Sequence, residues 1–519
     1  MTDQPGSGPP SAPAPQRRWQ APCPNCGAPV PFTSPASAAA VCGYCRSTVV
    51  RDGEALRKIG DSAELFGNRS ALQLGTGGRH EGHAFTIVGR LQLGYGDTEP
   101  GGLALVDAVW NEWHLAFDDG SDGWLSEDND QYVLVRPVAV DEALPYAQKL
   151  QPGMPVRLAG RGWRVASVVE VRVLSAEGEL PRAPDPARRY PVVDLRNERG
   201  EVATIEYDDA EHPALSIGGT VRLGELALTG LRDGFEDDVK AVHGNAFDCP
   251  SCGSPVTLAR TQSQSISCGN CLAVIDVSKG SGAALVAFQQ AQRIKPKIPL
   301  GSTGTLAIHG GAALPWQVVG FSVKHARTED ASENFNWHDY LLYNRDEGFA
   351  FLIDSDDGWV LYRTLTGVPS VISDDRALWN GVRYTRSDSY QAEVRYVEGE
   401  FYWRLTRGKR AGTTDYCGAG SNSWRLLSRE VDDDEVIWSY GERVSARQIG
   451  DAFRLPALAA RSADVSPTSG AGIPAYVIVL LIVLILLLLA FQGGRDDNDG
   501  YYRTSGGSYG GYSSGGGHK

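Results

Sequence analysis

The stretch WHDYLLYNRDEGFAFLIDSDDGWVLYRT, residues 337–364, consists of short β-branched or aromatic runs interrupted by Gly, Asp and Asn. Such runs between turn residues predict antiparallel strands joined by tight turns. The same pattern occurs earlier as WNEWHLAFDDGSDGWLSEDNDQYVLVRP, residues 110–137, which aligns with it without a gap. The chain therefore contains a duplicated, mainly β unit.

A cysteine frame precedes each copy of this pattern. Residues 23–45 read CPNCGAPVPFTSPASAAAVCGYC and residues 249–271 read CPSCGSPVTLARTQSQSISCGNC, so both follow C-x2-C-x15-C-x2-C. Four thiols at this spacing can converge on one tetrahedral ion, and the glycine after the second cysteine lets the backbone curl toward the sulfurs. Disulfide bonds or redox-active CxxC pairs are the alternatives. The frames predict two closed, structural Zn2+ sites, with the ligands Cys23, Cys26, Cys42, Cys45, Cys249, Cys252, Cys268 and Cys271.

Composition limits the classes to which this protein can belong. A length of 519 residues suggests three or four domains, and 42% hydrophobic with 22% charged residues is ordinary for globular protein. Most of the nine cysteines lie in the two frames, which favours a reducing compartment. The net charge of -14 gives no general attraction to nucleic acid, and the ribbons carry few basic residues. Nucleic-acid binding is therefore not expected.

One segment near the C-terminus is apolar throughout. Residues 473–491, IPAYVIVLLIVLILLLLAF, contain no charge, and as a helix they would extend about 28 Å, which matches a bilayer core. A buried helix of a soluble domain is the alternative, but such a helix rarely reads apolar on every face. Arginines on the two sides of the segment balance, so the orientation is taken from the reduced thiols and the absence of a leading signal. We expect a single-pass cell-membrane protein with the bulk of the chain in the cytoplasm.

The predicted fold class is mainly β: two zinc ribbons, each followed by small antiparallel β-barrel or sandwich modules, plus one transmembrane α-helix. The strongest helical pattern outside the membrane span is residues 284–294. The predicted divisions are a disordered leader (1–20), zinc ribbon 1 (21–50), β-rich repeat unit 1 (57–235), zinc ribbon 2 (247–275), β-rich repeat unit 2 (295–447), a linker (448–472), the transmembrane helix (473–491) and a Gly/Ser/Tyr-rich tail (492–519).

Three runs in the second unit resemble a known family. They are W-x-D-Y-L-L-Y-N-x-x-x-G-F-x-F-L from Trp337 to Leu352, VEGEFYWRL from Val397 to Leu405, and LLSREVDDDEVIWSYGERV from Leu426 to Val444. These residues look like the bacterial domain-of-unknown-function family numbered 4178. The first unit is similar but diverged, with EGELPR from Glu177 in place of the Gly-Glu-Phe-x-Trp core. The resemblance implies a zinc ribbon, a membrane helix and gene neighbours related to polyamine synthesis and membrane stress, without an established activity.

Acidic residues give the main argument for catalysis. They cluster in FDDGSDGWLSEDND, residues 117–130, and in LIDSDDGW, residues 352–359, and Glu127 aligns with Asp354. Paired carboxylates can act in acid and base chemistry or hold a hard cation. The Gly and Ser residues between them are typical of solvated hairpin loops, which is the interpretation we favour. The alternative function is a metal-dependent hydrolase that uses these acidic loops.

We expect structural roles, and not functional ones, for the histidines, the ninth cysteine and the tryptophans. His80, His83, His114 and His338 are expected to be exposed or core residues, and Cys417 is expected to be a spare thiol. Large aromatics can anchor a partner, but tryptophan at repeated positions within strand-like runs favours a duplicated core. These tryptophans are Trp110, Trp124, Trp316, Trp337, Trp359 and Trp403.

No catalytic residue and no organic cofactor is predicted, so an enzyme is not the favoured class. We expect a membrane-anchored adaptor or scaffold in which zinc ribbons orient tandem β units and hold protein partners at the inner face of the membrane. Two weak sites on one tether would raise the effective concentration of a partner at the bilayer. Residues 473–491 are the predicted contact with lipid, whereas the sequence identifies neither the protein partner nor the oligomeric state.

Overall fold

Two β-rich units make up the described part of the chain, which confirms the prediction of a mainly β fold. The predicted membrane span and tail, and nearly all of the predicted leader, lie outside the described residues. Among the residues that are described, no helix is both long and apolar enough to cross a membrane. The computed structural model describes residues 19–34, 37–52, 55–61, 70–95, 108–128, 131–232, 246–259, 263–277, 286–290, 293–328, 334–403, 410–431 and 434–460.

The first unit contains a closed antiparallel barrel. Its strands are β1 (Trp19–Pro22), β2 (Pro29–Phe32), β3 (Ala39–Val41), β4 (Ser47–Asp52), β5 (Ala55–Asp61), β6 (Gly77–His80), β7 (His83–Tyr95), β8 (Ala108–Phe117), β9 (Asp122–Asp128), β10 (Gln131–Pro137), β11 (Pro155–Leu158), β12 (Arg161–Leu180), β13 (Arg189–Arg196), β14 (Glu201–Glu206) and β15 (Ala214–Val221), with 3-10 turns at Ala147–Lys149 and Leu223–Leu226. Eight strands form the ring in the order β7, β8, β9, β10, β15, β14, β13, β12, and β12 pairs back onto β7.

The second unit repeats this ring in the order β22, β23, β24, β25, β31, β30, β29, β28, closed by pairing of β28 with β22. Its elements are β16 (Ala246–Asp248), β17 (Pro255–Thr257), β18 (Ser265–Ser267), β19 (Val274–Asp276), β20 (Val286–Phe288), β21 (Thr303–Ala307), β22 (Ala313–Thr328), β23 (Asn334–Asn344), β24 (Gly348–Ser355), β25 (Gly358–Thr364), β26 (Ser370–Ser373), β27 (Arg376–Trp379), β28 (Val382–Phe401), β29 (Arg410–Gly418), β30 (Arg425–Val431), β31 (Val436–Val444), a 3-10 turn at Gly420–Asn422, α1 (Ala446–Ala452) and α2 (Pro456–Ala459).

One long strand closes each barrel and also carries the ribbon. In the first unit, β12 pairs with β13 over its first half, with β7 from Val173 to Gly178, and with ribbon strand β3 from Gly178 to Leu180. Strand β28 pairs in the same way with β29, β22 and ribbon strand β18. Each unit therefore contains one large barrel, where the sequence predicted small modules, because the closing strand pairs with strands far apart in the chain.

A glycine at the closure point allows two strands to approach closely. Gly178 has φ 71° and Gly399 has φ 102°, a region that favours glycine. The Cα of Gly89 lies 3.0 Å from where a Cβ on Gly178 would stand, and the Cα of Gly320 lies 3.0 Å from the same point on Gly399. The Gly in each Glu-Gly-Glu sequence is thus required by the geometry of barrel closure.

Side chains from opposite sides of each ring meet in its interior. In the first barrel, Trp124 and Val133 pack with Ala176 and Val202. The second interior is more aromatic and holds Trp337, Phe351, Tyr362, Tyr390 and Trp403. Large buried rings at alternating strand positions fill a barrel of this strand number, so the repeated strand pattern specifies the core.

Two short helices cover the outside of the second barrel. Helix α1 begins after Ser445, whose hydroxyl accepts a hydrogen bond from the Gln448 backbone N–H, and Ile449 and Phe453 pack with the Trp316 cluster. Most of this helical segment falls in the predicted linker, which is therefore partly packed structure.

The helix expected at residues 284–294 is wrong where the chain is described, since Val286–Phe288 forms β20 and pairs with β19.

Candidate metal centres and their surroundings

The first cysteine frame folds into a compact four-thiol cluster. The Sγ atoms of Cys23 and Cys45 are 3.6 Å apart, and those of Cys26 and Cys42 are 3.8 Å apart. All four sulfurs lie within 4.8 Å of one another. A tetrahedral ion with metal–sulfur bonds of about 2.3 Å has sulfur–sulfur edges of about 3.8 Å. The cluster is therefore the right size to hold one such ion.

The second frame has the same geometry. Cys249 and Cys271 have Sγ atoms 3.7 Å apart, and the pair Cys252 and Cys268 shows the same distance. In both clusters the second cysteine is exposed, the first and third are buried, and the fourth is intermediate. The eight cysteines named from the sequence thus form two sites at the surface, each with four protein ligands.

Tight turns hold the two cysteines of each pair. The backbone N–H groups of Gly27 and Gly253 donate to the carbonyls of the first cysteines at 2.8 Å, with φ values of 76° and 71°. The second pair in each ribbon makes the equivalent turn with Arg46 at φ 57° and Leu272 at φ 63°. The left-handed residue predicted at glycine is present, and it recurs at two non-glycine positions that the sequence pattern did not indicate.

Polar neighbours favour the thiolate form of one cysteine in each cluster. Hydrogen bonds from the side chain of Asn25 and from Ser47 lower the pKa of Cys45 to about 5. The side chain and backbone of Ser254 lower the pKa of Cys252 to about 6. Burial raises the pKa of Cys249 in the second cluster to about 11, and because thiolates are the form that binds a metal ion, an ion bound there would have to displace that proton.

A buried carboxylate fastens the first ribbon to its barrel. Glu179, at the end of β12, accepts hydrogen bonds from the Thr33 backbone N–H at 2.7 Å, the Thr33 hydroxyl at 2.5 Å and the Ser34 backbone N–H at 2.9 Å. These donors lie in the loop between β2 and β3, so one side chain fixes the position of that ribbon loop.

The second ribbon is fastened by the equivalent residue. Glu400 accepts from the Ala259 backbone N–H at 2.6 Å and from the Ser263 hydroxyl at 2.7 Å. The Gln290 amide adds a clamp, because it exchanges two hydrogen bonds with the Val397 backbone and donates to the Leu272 carbonyl beside the cysteines. The second glutamate of each Glu-Gly-Glu sequence therefore joins ribbon to barrel, a role that the sequence alone did not suggest.

Replacing Glu179 with glutamine is expected to loosen the first ribbon. The amide loses the charge that holds three donors, and charge-assisted hydrogen bonds contribute about 1.5–3 kcal/mol to stability. We expect faster amide hydrogen exchange at Thr33 and Ser34 in this variant. Glu170→Gln, an exposed site on the same strand, is the control and should leave both amides as in the wild type. Equal protection in the two variants would contradict this role for Glu179.

The aligned acidic residues are strand residues, so the loop interpretation is wrong for them. Glu127 is 7% exposed and accepts from Ser70 Oγ at 2.5 Å and Trp113 Nε1 at 2.9 Å. Asp354 is 5% exposed, and its carboxylate lies 2.6 Å from Lys297 Nζ and 3.2 Å from His338 Nδ1. Both carboxylates thus fasten the segment preceding a barrel to the barrel itself. Strand β9 is buried from Gly123 to Asp128 and β24 is buried from Gly348 to Asp354, so both carboxylates lie within fully buried strand runs.

The histidines, the ninth cysteine and the tryptophans that the sequence singled out lie outside the two cysteine clusters. His83 Nδ1 is 3.4 Å from Asp118 Oδ1 at an exposed turn, whereas His114 is buried with Nδ1 3.0 Å from the Glu179 carbonyl. The Cys417 thiol lies 3.3 Å from the Ser423 carbonyl, and burial raises its pKa. The core interpretation of the tryptophans is confirmed by relative exposures of 7% or less for Trp110, Trp124, Trp316, Trp337, Trp359 and Trp403.

Each barrel interior also contains buried charge that sequence reasoning missed. Glu112 accepts from Trp110 Nε1 at 2.8 Å, and at the aligned position Asp339 pairs with Lys324 at 2.8 Å. Burial raises the pKa of Asp339, and the Lys324 ammonium opposes that shift. Lys324 and Asp339 lie on the paired strands β22 and β23, and Lys324 corresponds to Leu93 in the first unit, so the duplication did not indicate this ion pair.

These features define a class of protein: two closed eight-stranded barrels, each extended by a four-cysteine ribbon. The family described as Domain of unknown function (DUF4178) matches residues 73–223 and residues 312–446, one range for each barrel. These matches take in more than half of the chain, which therefore belongs to the DUF4178 family and carries two copies of its domain. The cysteine clusters lie outside both matched ranges. The chain matches no curated protein.

Proposed function

We propose that this chain is a membrane-anchored, non-enzymatic scaffold whose ribbons each hold one structural zinc ion. The observation that carries the proposal is the construction of the two cysteine clusters. All four ligand positions come from protein, and each ribbon continues the sheet of a barrel. Such closed sites stabilise a fold and leave no open coordination position for a substrate.

The roles of the acidic residues support a non-enzymatic assignment. Glu127 and Asp354, the aligned carboxylates of the hydrolase alternative, make hydrogen bonds and ion pairs that hold chain segments together. A catalytic carboxylate needs access to substrate, and both side chains are more than nine-tenths buried. The hydrolase alternative therefore gains no observation in its favour.

The membrane part of the proposal rests on the sequence. Residues 473–491 are uncharged and long enough to span a bilayer, and the reduced thiols suit a cytoplasmic location for the preceding body. A scaffold of this kind would present two related barrels to protein partners at the inner face of the membrane. Fixing both on one tether would raise their effective concentration for a membrane partner.

Fractionation of cells tests the anchor directly. The full chain is expected in the membrane fraction and resistant to extraction by high salt, whereas a chain ending at residue 465 should be soluble. Both should contain about two zinc ions, because the ribbons lie well before the deletion. A full chain in the soluble fraction would contradict the anchor.

An activity assay tests the hydrolase alternative. Metal-dependent ester or phosphoester turnover that Asp354→Asn abolishes would favour the hydrolase instead.

A further inference from the structure

The long closing strands share a bulge at the same position. In β12 the register against β13 shifts between Val165 and Ser167, and in β28 the register against β29 shifts between Arg386 and Asp388. Ser167 stands opposite Asp194, and Asp388 stands opposite Asp415, so the two bulges are equivalent. A bulge interrupts the ladder and leaves backbone groups for another partner.

In the first unit, that partner is the second unit. The Val168 backbone N–H donates to the Asp434 carbonyl at 3.0 Å, and Ser167 forms an antiparallel bridge with Glu435. Asp434 and Glu435 lie just before β31, within the sequence VDDDEV of residues 431–436, and these two described residues are called the acidic turn below. The second barrel thus inserts an acidic turn at the bulge of the first.

A buried arginine lies two residues along β13 from Asp194, the residue that stands opposite Ser167. Arg196, at the end of β13, is 8% exposed. Burial lowers the pKa of its guanidinium, and the negative charges of Asp194 and then of Glu435 oppose that shift. One of these carboxylates belongs to the first barrel and the other to the acidic turn of the second. The backbone contacts of Val168 and Ser167 therefore join the two units at the bulge, and the opposite charges of Arg196 and Glu435 attract each other there.

The equivalent place in the second unit has different residues. The register puts Cys417 where the first unit has Arg196, and Asp388 where it has Ser167. The Asp388 carboxylate accepts from the Ser389 backbone N–H at 2.8 Å, which is the equivalent of the Val168 group. An acidic turn approaching this bulge would meet a carboxylate in place of a guanidinium.

Two further contacts join the units away from the bulge. The Val368 backbone N–H donates to the Asn197 carbonyl at 3.1 Å, and Arg222 forms an ion pair with Glu347 at 3.1 Å. Glu347 also pairs with Arg363 of its own barrel at 2.9 Å. Three separate points of contact are enough to fix the rotation of one barrel against the other.

We propose that the β12 bulge and Arg196 form a docking site for the acidic turn of the second unit, which holds the tandem barrels in one arrangement. In the second unit, Asp388 closes the equivalent bulge to the acidic turn of another copy. The docking goes beyond the scaffold function and depends on neither zinc nor the membrane. It makes the pair of barrels, and not the single barrel, the structural unit that a partner meets.

Hydrogen exchange on the full chain tests the docking site. Glu435→Lys places a cation next to Arg196 and should speed exchange at the Val168 and Val368 amides by about tenfold or more, since like charges across an interface are costly. Glu211→Lys, an exposed change in the corresponding acidic turn of the first unit, is the matched control and should leave both amides protected. Unchanged protection in Glu435→Lys, or equal loss in both variants, would overturn the proposal.

A second variant tests the closed bulge. The double change Asp388→Ser with Cys417→Arg gives the second unit the residues of the first. Sedimentation of the full chain in detergent should then show concentration-dependent association that Glu435→Lys removes, because head-to-tail contacts of this kind do not close. The same sedimentation coefficient as the wild type at every concentration would overturn the role of Asp388. A far-ultraviolet circular dichroism spectrum and a denaturant midpoint like those of the wild type report that the variant is folded.

Discussion

Replacing Cys42 with serine is expected to lower the zinc content from about two ions per chain to about one. Cys42 is 1% exposed and is one of the four thiols of the first cluster, so its loss would leave three thiols for an ion. Binding of structural zinc contributes roughly 10–16 kcal/mol in small ribbons at neutral pH, which exceeds what so small a core can supply. The first ribbon should therefore unfold while the second keeps its metal ion.

Metal analysis and hydrogen exchange together check this result. Exchange should become fast at Ala39–Val41, which pair with the end of β12, and stay slow within the second ribbon. Cys417→Ser is the matched control, because Cys417 lies outside both clusters and its change should leave about two zinc ions bound. Retention of two ions by the Cys42 variant, or loss of one from the Cys417 variant, would contradict the ligand assignment.

Replacing Gly399 with alanine is expected to lower the free energy of unfolding of the second barrel by about 3 kcal/mol or more. The residue has φ 102°, and the added methyl group would press against the Val319 carbonyl and the Cα of Gly320. A disfavoured backbone conformation costs about 1–3 kcal/mol, and overpacking adds about as much again. Both costs fall on the point where β28 closes the ring.

Denaturant unfolding of the chain ending at residue 465 measures this cost. Gly381→Ala is the matched control: Gly381 has φ 74° in the turn before β28, but its Cβ would meet no atom within 4 Å. The control should show the backbone cost alone, so the difference between the two variants isolates the close approach of the strands. Equal destabilisation by both changes would refute the packing explanation.

Local pattern was sufficient to predict much of this molecule. The alternation in residues 337–364 predicted strands, and β23, β24 and β25 confirm them. The cysteine spacing predicted two four-thiol clusters, which the structure contains. Both signals depend on residues close together in the chain, where strand periodicity and turn residues act directly.

Features set by distant pairing could not be predicted in this way. Closure of the first barrel requires Gly178 to stand opposite Gly89, and no local pattern specifies that register. The surroundings of Glu127 also depend on a distant contact, because Ser70, which donates to its carboxylate, lies 57 residues earlier in the chain. Within the helical pattern of residues 284–294, the described residues Val286–Phe288 form a strand, because tertiary pairing with β19 prevails there over local preference.

Closure of the two rings also affects the tendency of this protein to aggregate at high concentration. A closed barrel has no free strand edge, so the longest strands cannot recruit a neighbouring molecule by backbone pairing. Among the strands that the structure describes, those at the ends of the two large sheets are short, as in β5, where Arg57 and Lys58 are exposed. Charge on such an edge discourages stacking of one molecule on the next, so we expect the closed barrels to resist amyloid-like aggregation despite their high strand content.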